Sequence, residues 1–374
     1  MTFEEVYQQL NPNQKIAVDT TEGTVMVVAG PGTGKTQVLG ARIASILKRT
    51  DVNPENILCL TFTEAATTAL RKRLNQFMGA ESYKVSVYTY HGFCNTVIQE
   101  NRDLFGIQDL DPVSELEVRE VMREIVNELP HDSKIKRYVG DVYYDIRDLL
   151  KVFGLMKKDN LTSAALVKKV DDKLQDMLTD EAYLFKTNSR GNKKGDLNPR
   201  LYNKDKTPLE KLREAALLLD VYDAKLRERK RYDFNDMIAW VLEALHTNED
   251  LLLHYQEQYQ YFLVDEYQDT NGAQNELLYT LINYWENPNV FVVGDDDQSV
   301  YKFQGANVEN IHEFYTRYEK GIKLVVLDQN YRSSQNILDG SNAIIKHNNE
   351  RLVGKVPNLN KDIVASNPAV ADIP

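Results

Sequence analysis

The sequence predicts an α/β protein built on a doubly wound parallel sheet. Short continuous apolar runs stand near both ends of the chain, each followed by a helix-period pattern, as expected of strands buried on both faces with helices between them. A glycine-rich turn separates the first run from its helix. From about residue 110 to 230 the pattern changes: charged helix-period segments dominate and strand character is scarce.

Taken in order, Thr2 and Glu5 form a capping box ahead of a short helix. TVMVVAG (24–30) reads as a buried strand and 35–49 as its amphipathic helix. ILCLTF (57–62) is the second strand, followed by a helix over 64–77, and VSVYT (85–89) is the third. The middle offers helices at 115–128, 140–153, 164–178 and 209–230. Its polar stretch 187–206, with Lys186, carries seven basic residues (Lys186, Arg190, Lys193, Lys194, Arg200, Lys204, Lys206) against Asp196 and Asp205. Such a stretch is a solvated loop or an arm that touches nucleic acid, and the residues leave both open. YFLVDE (261–266), VFVVG (290–294) and KLVVLD (323–328) supply three more strands. A helix at 334–347 follows, then a tail with Pro357, Pro368 and Pro374 and no further strand. Residues after 328 are too few for another such domain, so they extend the sheet or open a second domain.

Composition bounds the class. A chain of 374 residues, 42% apolar, has the material for two or three cored domains and is not disordered. Cys59 and Cys94 cannot make a disulfide framework. No apolar run is long enough to span a membrane, and the acidic N-terminus lacks a signal-peptide layout. The expectation is a soluble, cytoplasmic protein. With 45 basic and 56 acidic residues the net charge is −11, which argues against a chain that simply coats nucleic acid. A groove lined by a minority of basic residues and some of the 21 tyrosines stays open.

The residues that carry chemistry cluster in a few short segments. AGPGTGKT (29–36) lies between strand and helix, the context of a phosphate-binding loop: glycines let backbone N–H groups approach phosphates, with a helix N-terminus behind. Lys35 would reach the β- and γ-phosphates and the Thr36 hydroxyl a Mg²⁺ ion. Ala29 stands where the usual pattern has glycine. VDEYQDT (264–270) ends an apolar run with two carboxylates, Asp265 for the metal and Glu266 to orient or deprotonate water, which indicates hydrolysis. Gln298 could sense a γ-phosphate, and Tyr301 and Phe303 could stack on bases. Tyr331 and Arg332 lie just past a strand, where an arginine can stabilise phosphoryl-transfer charge.

Together these segments resemble the superfamily 1 DNA helicases of the UvrD/Rep/PcrA type. LNPNQ with Gln14 resembles the adenine-reading motif, and 29–36 the Walker A loop. LTFTEAATTALRKRL (60–74) and VYTYHGFC (87–94) resemble motifs that contact single-stranded DNA. YDFNDMI (232–238) marks the return from a helical insertion, VDEYQDTN the Walker B, GDDDQSVYKFQGA the motif coupling ATP to DNA, and LDQNYRSSQNIL the opening of a second motor domain. The resemblance implies a P-loop, RecA-like fold with an inserted helical subdomain. Its first motor domain covers 1–110 and 231–328, the insertion 111–230, and the start of the second motor domain 329–374.

By resemblance, Gln14 and Tyr331 hold adenine, and Ala29, Gly30, Pro31, Gly32, Thr33, Gly34, Lys35 and Thr36 cradle the phosphates. Asp265 and Glu266 manage metal and water, and Gln298 and Arg332 contact the γ-phosphate. Thr61, Phe62, Thr63, Thr89, His91, Tyr301 and Phe303 touch DNA. Two departures stand out: Gln37 replaces an arginine, and Phe303-Gln304 replaces Trp-Arg. The implied activity is ATP- and Mg²⁺-dependent, 3′-to-5′ translocation on single-stranded DNA and unwinding at single-strand/duplex junctions, alongside repair or replication proteins. These residues, an N-terminal portion lacking the later motifs, are expected to bind ATP but turn it over slowly. The alternatives are a subunit of a RecB/AddA-type helicase–nuclease and an idle nucleotide- or DNA-binding module.

Overall fold

A computed structural model of the protein describes residues 2–106, 110–137, 139–188, 191–299, 309–348, 351–357 and 359–366. Its strands are β1 (Thr24–Ala29), β2 (Ile57–Thr61), β3 (Ser86–Thr89), β4 (Asp111–Pro112), β5 (Arg231–Tyr232), β6 (Tyr261–Val264), β7 (Asn289–Gly294), β8 (Lys323–Leu327), β9 (Gln329–Asn330) and β10 (Val364–Ala365). The six longer ones form an all-parallel sheet in the order β3-β2-β6-β7-β1-β8. β1, β2 and β6 are buried at every position, which is why they read as unbroken apolar runs rather than alternating ones. The α/β class expected from the sequence is the one observed.

Two compact units divide the chain: Met1–Phe105 with Trp240–Pro374, and Gly106–Ala239. The first holds the sheet. Its helix Lys35–Arg49 packs its Val38, Ile43 and Ile46 into a core shared with Val25, Val27, Leu70, Leu263 and Phe291. The N-terminal capping box of Thr2 and Glu5 is present. Cys59 and Cys94 are buried free thiols. No helix among the described residues is long and apolar enough to cross a membrane.

Against that core sits a buried cation. Arg42, 1% exposed, lies over the Phe291 ring at 4.6 Å and donates to the carbonyls of Ala17 (2.7 Å), Thr20 and Thr21 (3.1 Å). It thereby closes the C-terminal end of the helix Pro12–Asp19, which carries Gln14. Burial draws its pKa down to about 9, against the pull of Tyr261 and Glu22. Arg42→Met should strand those carbonyls and destabilise this unit by about 3 kcal/mol or more. Urea unfolding, read as a lower midpoint at constant slope, checks this.

The second unit is helical. The helices Glu115–Glu128, Ile146–Lys158 and Pro199–Glu228 bury Val121, Ile125, Phe153, Leu219 and Tyr222 together. β4 and β5 pair in parallel where the chain enters and leaves it. Lys157 is buried with its ammonium 2.8 Å from Asp223, 2.5 Å from Asp236 and 3.8 Å from Asp233. Burial, with Asp223 and Asp233 close by, pushes Asp236 up to about 6 despite the Lys157 charge.

Three expectations change. The last long helix starts at Pro199, not 209, taking the end of the supposed loop 187–206 into its first turns. Asn198 caps it, accepting from Arg200 N and Leu201 N, and Pro199 at N1 has no N–H to lose. Pro208 is tolerated inside the helix. The helix expected at 140–153 runs instead from Ile146 to Lys158, because Asp145 turns inward to Arg137 and Lys211. Finally, the tail does contain a strand. β10 pairs with β9 as a separate two-stranded sheet rather than extending the large one.

Candidate functional site

The strand order gathers the predicted residues. β6, β7, β1 and β8 are neighbours, and in a parallel sheet their C-terminal ends share one edge. The P-loop leaves β1, Asp265 and Glu266 leave β6, Gln298 follows β7, and Tyr331 and Arg332 follow β8. A cleft of about 350 Å³ there is lined by the loop itself, Arg73, Glu266, Gln298 and Arg332, while Asp265 and Tyr331 are not among its lining residues.

The loop is held open by its neighbours. Gly32 and Gly34 have φ of +69° and +89°, the left-handed region that favours glycine. A side chain at Gly32 would also lie 2.8 Å from Arg332 Cβ. Gly34 caps the helix Lys35–Arg49 without a side-chain bond; Gln37 N and Val38 N donate to Gly34 O, which leaves the Lys35 and Thr36 N–H groups to an anion. Thr33 donates to Gly30 O at 2.7 Å, and Ala29 is fully enclosed at the end of β1. Thr36 and Gln37 line the cleft, as does Pro31.

Gln14 clamps the loop from behind. Its Oε1 accepts from Asn11 N (3.0 Å) and its Nε2 donates to Thr33 O (2.9 Å), so at most one Nε2 hydrogen is left for a base. Asn11 also donates to the Tyr331 hydroxyl at 2.9 Å, bringing the two adenine candidates to one side. Tyr331 N donates to Gly32 O at 3.0 Å.

Opposite the loop, Lys35 Nζ lies 3.1 Å from Glu266 Oε2, which also accepts from Gln268 Nε2 at 2.9 Å. Glu266 adopts φ +48°, an uncommon conformation for a non-glycine residue that turns the chain sharply after β6. Asp265 is 5% exposed. Burial, and then the Glu266 charge beside it, pushes its carboxyl from an ordinary 3.8 to about 7, with Lys35 and the Glu266 N–H pulling the other way.

This shift has a testable sign. An unfolded aspartate ionises above about 3.8, whereas the folded one keeps its proton until about 7. Ionising Asp265 therefore costs stability increasingly as pH rises between those values, bounded near ~4 kcal/mol at about 1.4 kcal/mol per pH unit. Without nucleotide or divalent metal, Asp265→Asn should melt higher than the parent at pH 8, with the gap closing toward pH 4.

Gln298 Nε2 donates to Asp295 Oδ2 at 2.6 Å. Arg332 lines the cleft, its N–H donating to Asn330 Oδ1 at 2.7 Å. Asn330 and Arg73 are residues that sequence reasoning did not single out. Asn330 is buried and donates to Pro31 O, fastening the β8 exit to the P-loop. Arg73 reaches the cleft because the helix Glu64–Met78 packs on Gly40, where an added Cβ would lie 3.3 Å from Arg73 Cδ. Its helical phase, already visible in 64–77, was the available signal.

The DNA candidates occupy the β2 and β3 ends of the same edge. Thr61 is buried and shares a 2.6 Å hydrogen bond with Thr67, while Phe62 is half-buried and Thr63 exposed, accepting from Ala66 N. Thr89 is buried and bonded to Glu64 and Gly92 N, with His91 half-buried beside it. Tyr301 and Phe303 lie outside the described residues.

Sheet, loop and acidic turn together define a P-loop protein of the parallel α/β class. The UvrD/REP helicase N-terminal domain family matches residues 10–319, and the chain belongs to it. It is similar to the ATP-dependent DNA helicase PcrA of Leuconostoc citreum, with 32% identity over 360 residues, 95% of this chain and 41% of that protein. PcrA of Staphylococcus epidermidis is 31% identical over 348 residues, covering 92% and 41%. PcrA of Staphylococcus aureus is 30% identical over 346 residues, covering 91% and 40%. The chain thus spans about two-fifths of the length of these curated relatives.

Proposed function

We propose that the chain is the ATP-binding motor portion of an ATP-dependent DNA helicase that moves 3′-to-5′ on single-stranded DNA. The convergence of the P-loop, the Lys35–Glu266 pair, Gln298 and Arg332 on one cleft carries this most directly. On this view 1–110 and 231–328 are the first motor domain, 111–230 its insertion and 329–374 the start of a second.

Phosphates entering the loop compete with Glu266 for Lys35. As Lys35 turns to the β- and γ-phosphates, Glu266 is released to accept a proton from the attacking water. Gln298 and Arg332 face the terminal phosphate and stabilise the charge that develops on it. Asp265 and the Thr36 hydroxyl are hard oxygen donors, and a buried carboxyl so reluctant to ionise is one that a cation would relieve. They fit Mg²⁺, which, when bound, supplies charge neutralisation on the phosphates. DNA would follow the β2–β3 edge.

Steady-state ATPase with and without single-stranded DNA, across a salt series, tests the assignment. Slow turnover with clear nucleotide binding is expected, because one arginine of the kind Arg332 supplies is worth on the order of 10³–10⁵ in rate and the motifs holding a second are not among these residues. Absence of nucleotide binding would overturn it.

A further inference from the structure

Three successive aspartates follow β7 and converge on one cation. Lys361 Nζ lies 2.7 Å from Asp295 Oδ1, 2.6 Å from Asp296 Oδ1 and 2.7 Å from Asp297 Oδ2. The Lys361 and Asp295 side chains are 3% and 1% exposed. Neighbouring bonds set the register of the segment that delivers the lysine. Val364 N donates to Asp328 O and Ser366 N to Asn330 O, both at 2.8 Å. Ile363 packs so closely on Gly30 that a Cβ there would lie 2.0 Å from its Cδ1.

The aspartates are not equivalent. Asp297 also takes a bidentate bond from Arg351, at 2.7 Å for each contact, and Asp296 accepts from Leu352 N at 2.8 Å. Asp295 differs: Oδ1 meets Lys361 and, at 3.2 Å, Asp297 N, while Oδ2 accepts Gln298 Nε2 at 2.6 Å. Asp295 therefore joins a lysine from the tail to a side chain that lines the nucleotide cleft.

Burying one ammonium among carboxylates is a poor way to fasten a tail, since apolar side chains of similar volume usually do it as well or better. What the cation does that an apolar contact cannot is give Asp295 a charge-assisted partner that holds its carboxylate in one rotamer. An ionised carboxylate holds the Gln298 amide more strongly than a neutral acid would. Burial pulls the Lys361 pKa down, but the three carboxylates outweigh it and leave it raised, so the ammonium persists.

We propose that Lys361 is a positioning residue for Gln298, acting through Asp295 to fix the amide that faces the terminal phosphate of a nucleoside triphosphate. This rests on the cleft being the nucleotide site assigned above.

The test titrates fluorescent ADP and a non-hydrolysable ATP analogue into the 374-residue chain and its variants. In Lys361→Met, the preference for triphosphate over diphosphate should fall roughly ten- to a hundredfold, with ADP affinity unchanged. Lys361→Arg should restore part of it. Lys361→Met combined with Gln298→Ala should be no worse than Gln298→Ala alone, since the two act in series. Arg351→Met removes a cation from the same cluster without touching Asp295 and should keep the preference. Additive losses, or equal weakening of ADP and the ATP analogue, would overturn the proposal. Should Lys361→Met fail to fold, Asp295→Asn decides: it keeps the shape but removes the charge, and a retained preference rejects the coupling. A Lys35→Ala control that binds nucleotide like the parent would instead reject the nucleotide site itself.

Discussion

Replacing Lys35 with alanine is expected to weaken ATP binding roughly a hundredfold or more. Lys35 is only 10% exposed at its side chain, and its ammonium lies 3.1 Å from the Glu266 carboxylate that follows β6. Its removal does two things at once. It deletes the charge that would meet the β- and γ-phosphates, and it leaves Glu266 facing the same space with no ammonium to offset it. A bound phosphate would then meet an unneutralised Glu266, with Arg73 and Arg332 the cations left lining the cleft among the described residues. Equilibrium titration with a fluorescent nucleotide measures this directly, and an unchanged dissociation constant would remove Lys35 from the site.

Glu266→Gln should separate binding from chemistry. The amide keeps the size of the carboxylate and can still accept from Gln268 Nε2, so the turn after β6 should hold. It no longer competes with phosphate for Lys35, so nucleotide affinity should be at least that of the parent. It also cannot take a proton from water, and turnover should fall on the order of 10²–10⁴-fold, the usual worth of a general base. Single-turnover hydrolysis alongside binding makes the comparison. Normal hydrolysis by this variant would move the base elsewhere, with Asp269, which shares the Gln268 Nε2 donor with Glu266, a candidate.

Much of the architecture was legible because parallel strands buried on both faces leave an unmistakable trace. The runs at 24–30, 57–62, 261–266 and 290–294 correspond to β1, β2, β6 and β7 within a residue or two. The chemistry-bearing segments were legible for a related reason: each sits at the C-terminal end of such a strand. Where reading failed, two local signals competed. The helix-period pattern reads from 209, but Asn198 and Pro199 upstream set the start. In the tail, β10 is only two residues long and borrows its partner from β9, so no periodicity could announce it.

Residue order by itself therefore determined which elements form, where the phosphate loop lies and which side chains carry charge, because backbone preference and apolar periodicity act over a few residues. Only the tertiary structure decided which of those side chains meet. The sheet order β6-β7-β1-β8 brings residues far apart in sequence to one edge. It places Glu266 against Lys35 and Asn330 against Pro31, and it sets Lys361 into the aspartates after β7. Those pairings depend on packing and desolvation across long loops, and neither quantity is written in any short stretch of sequence.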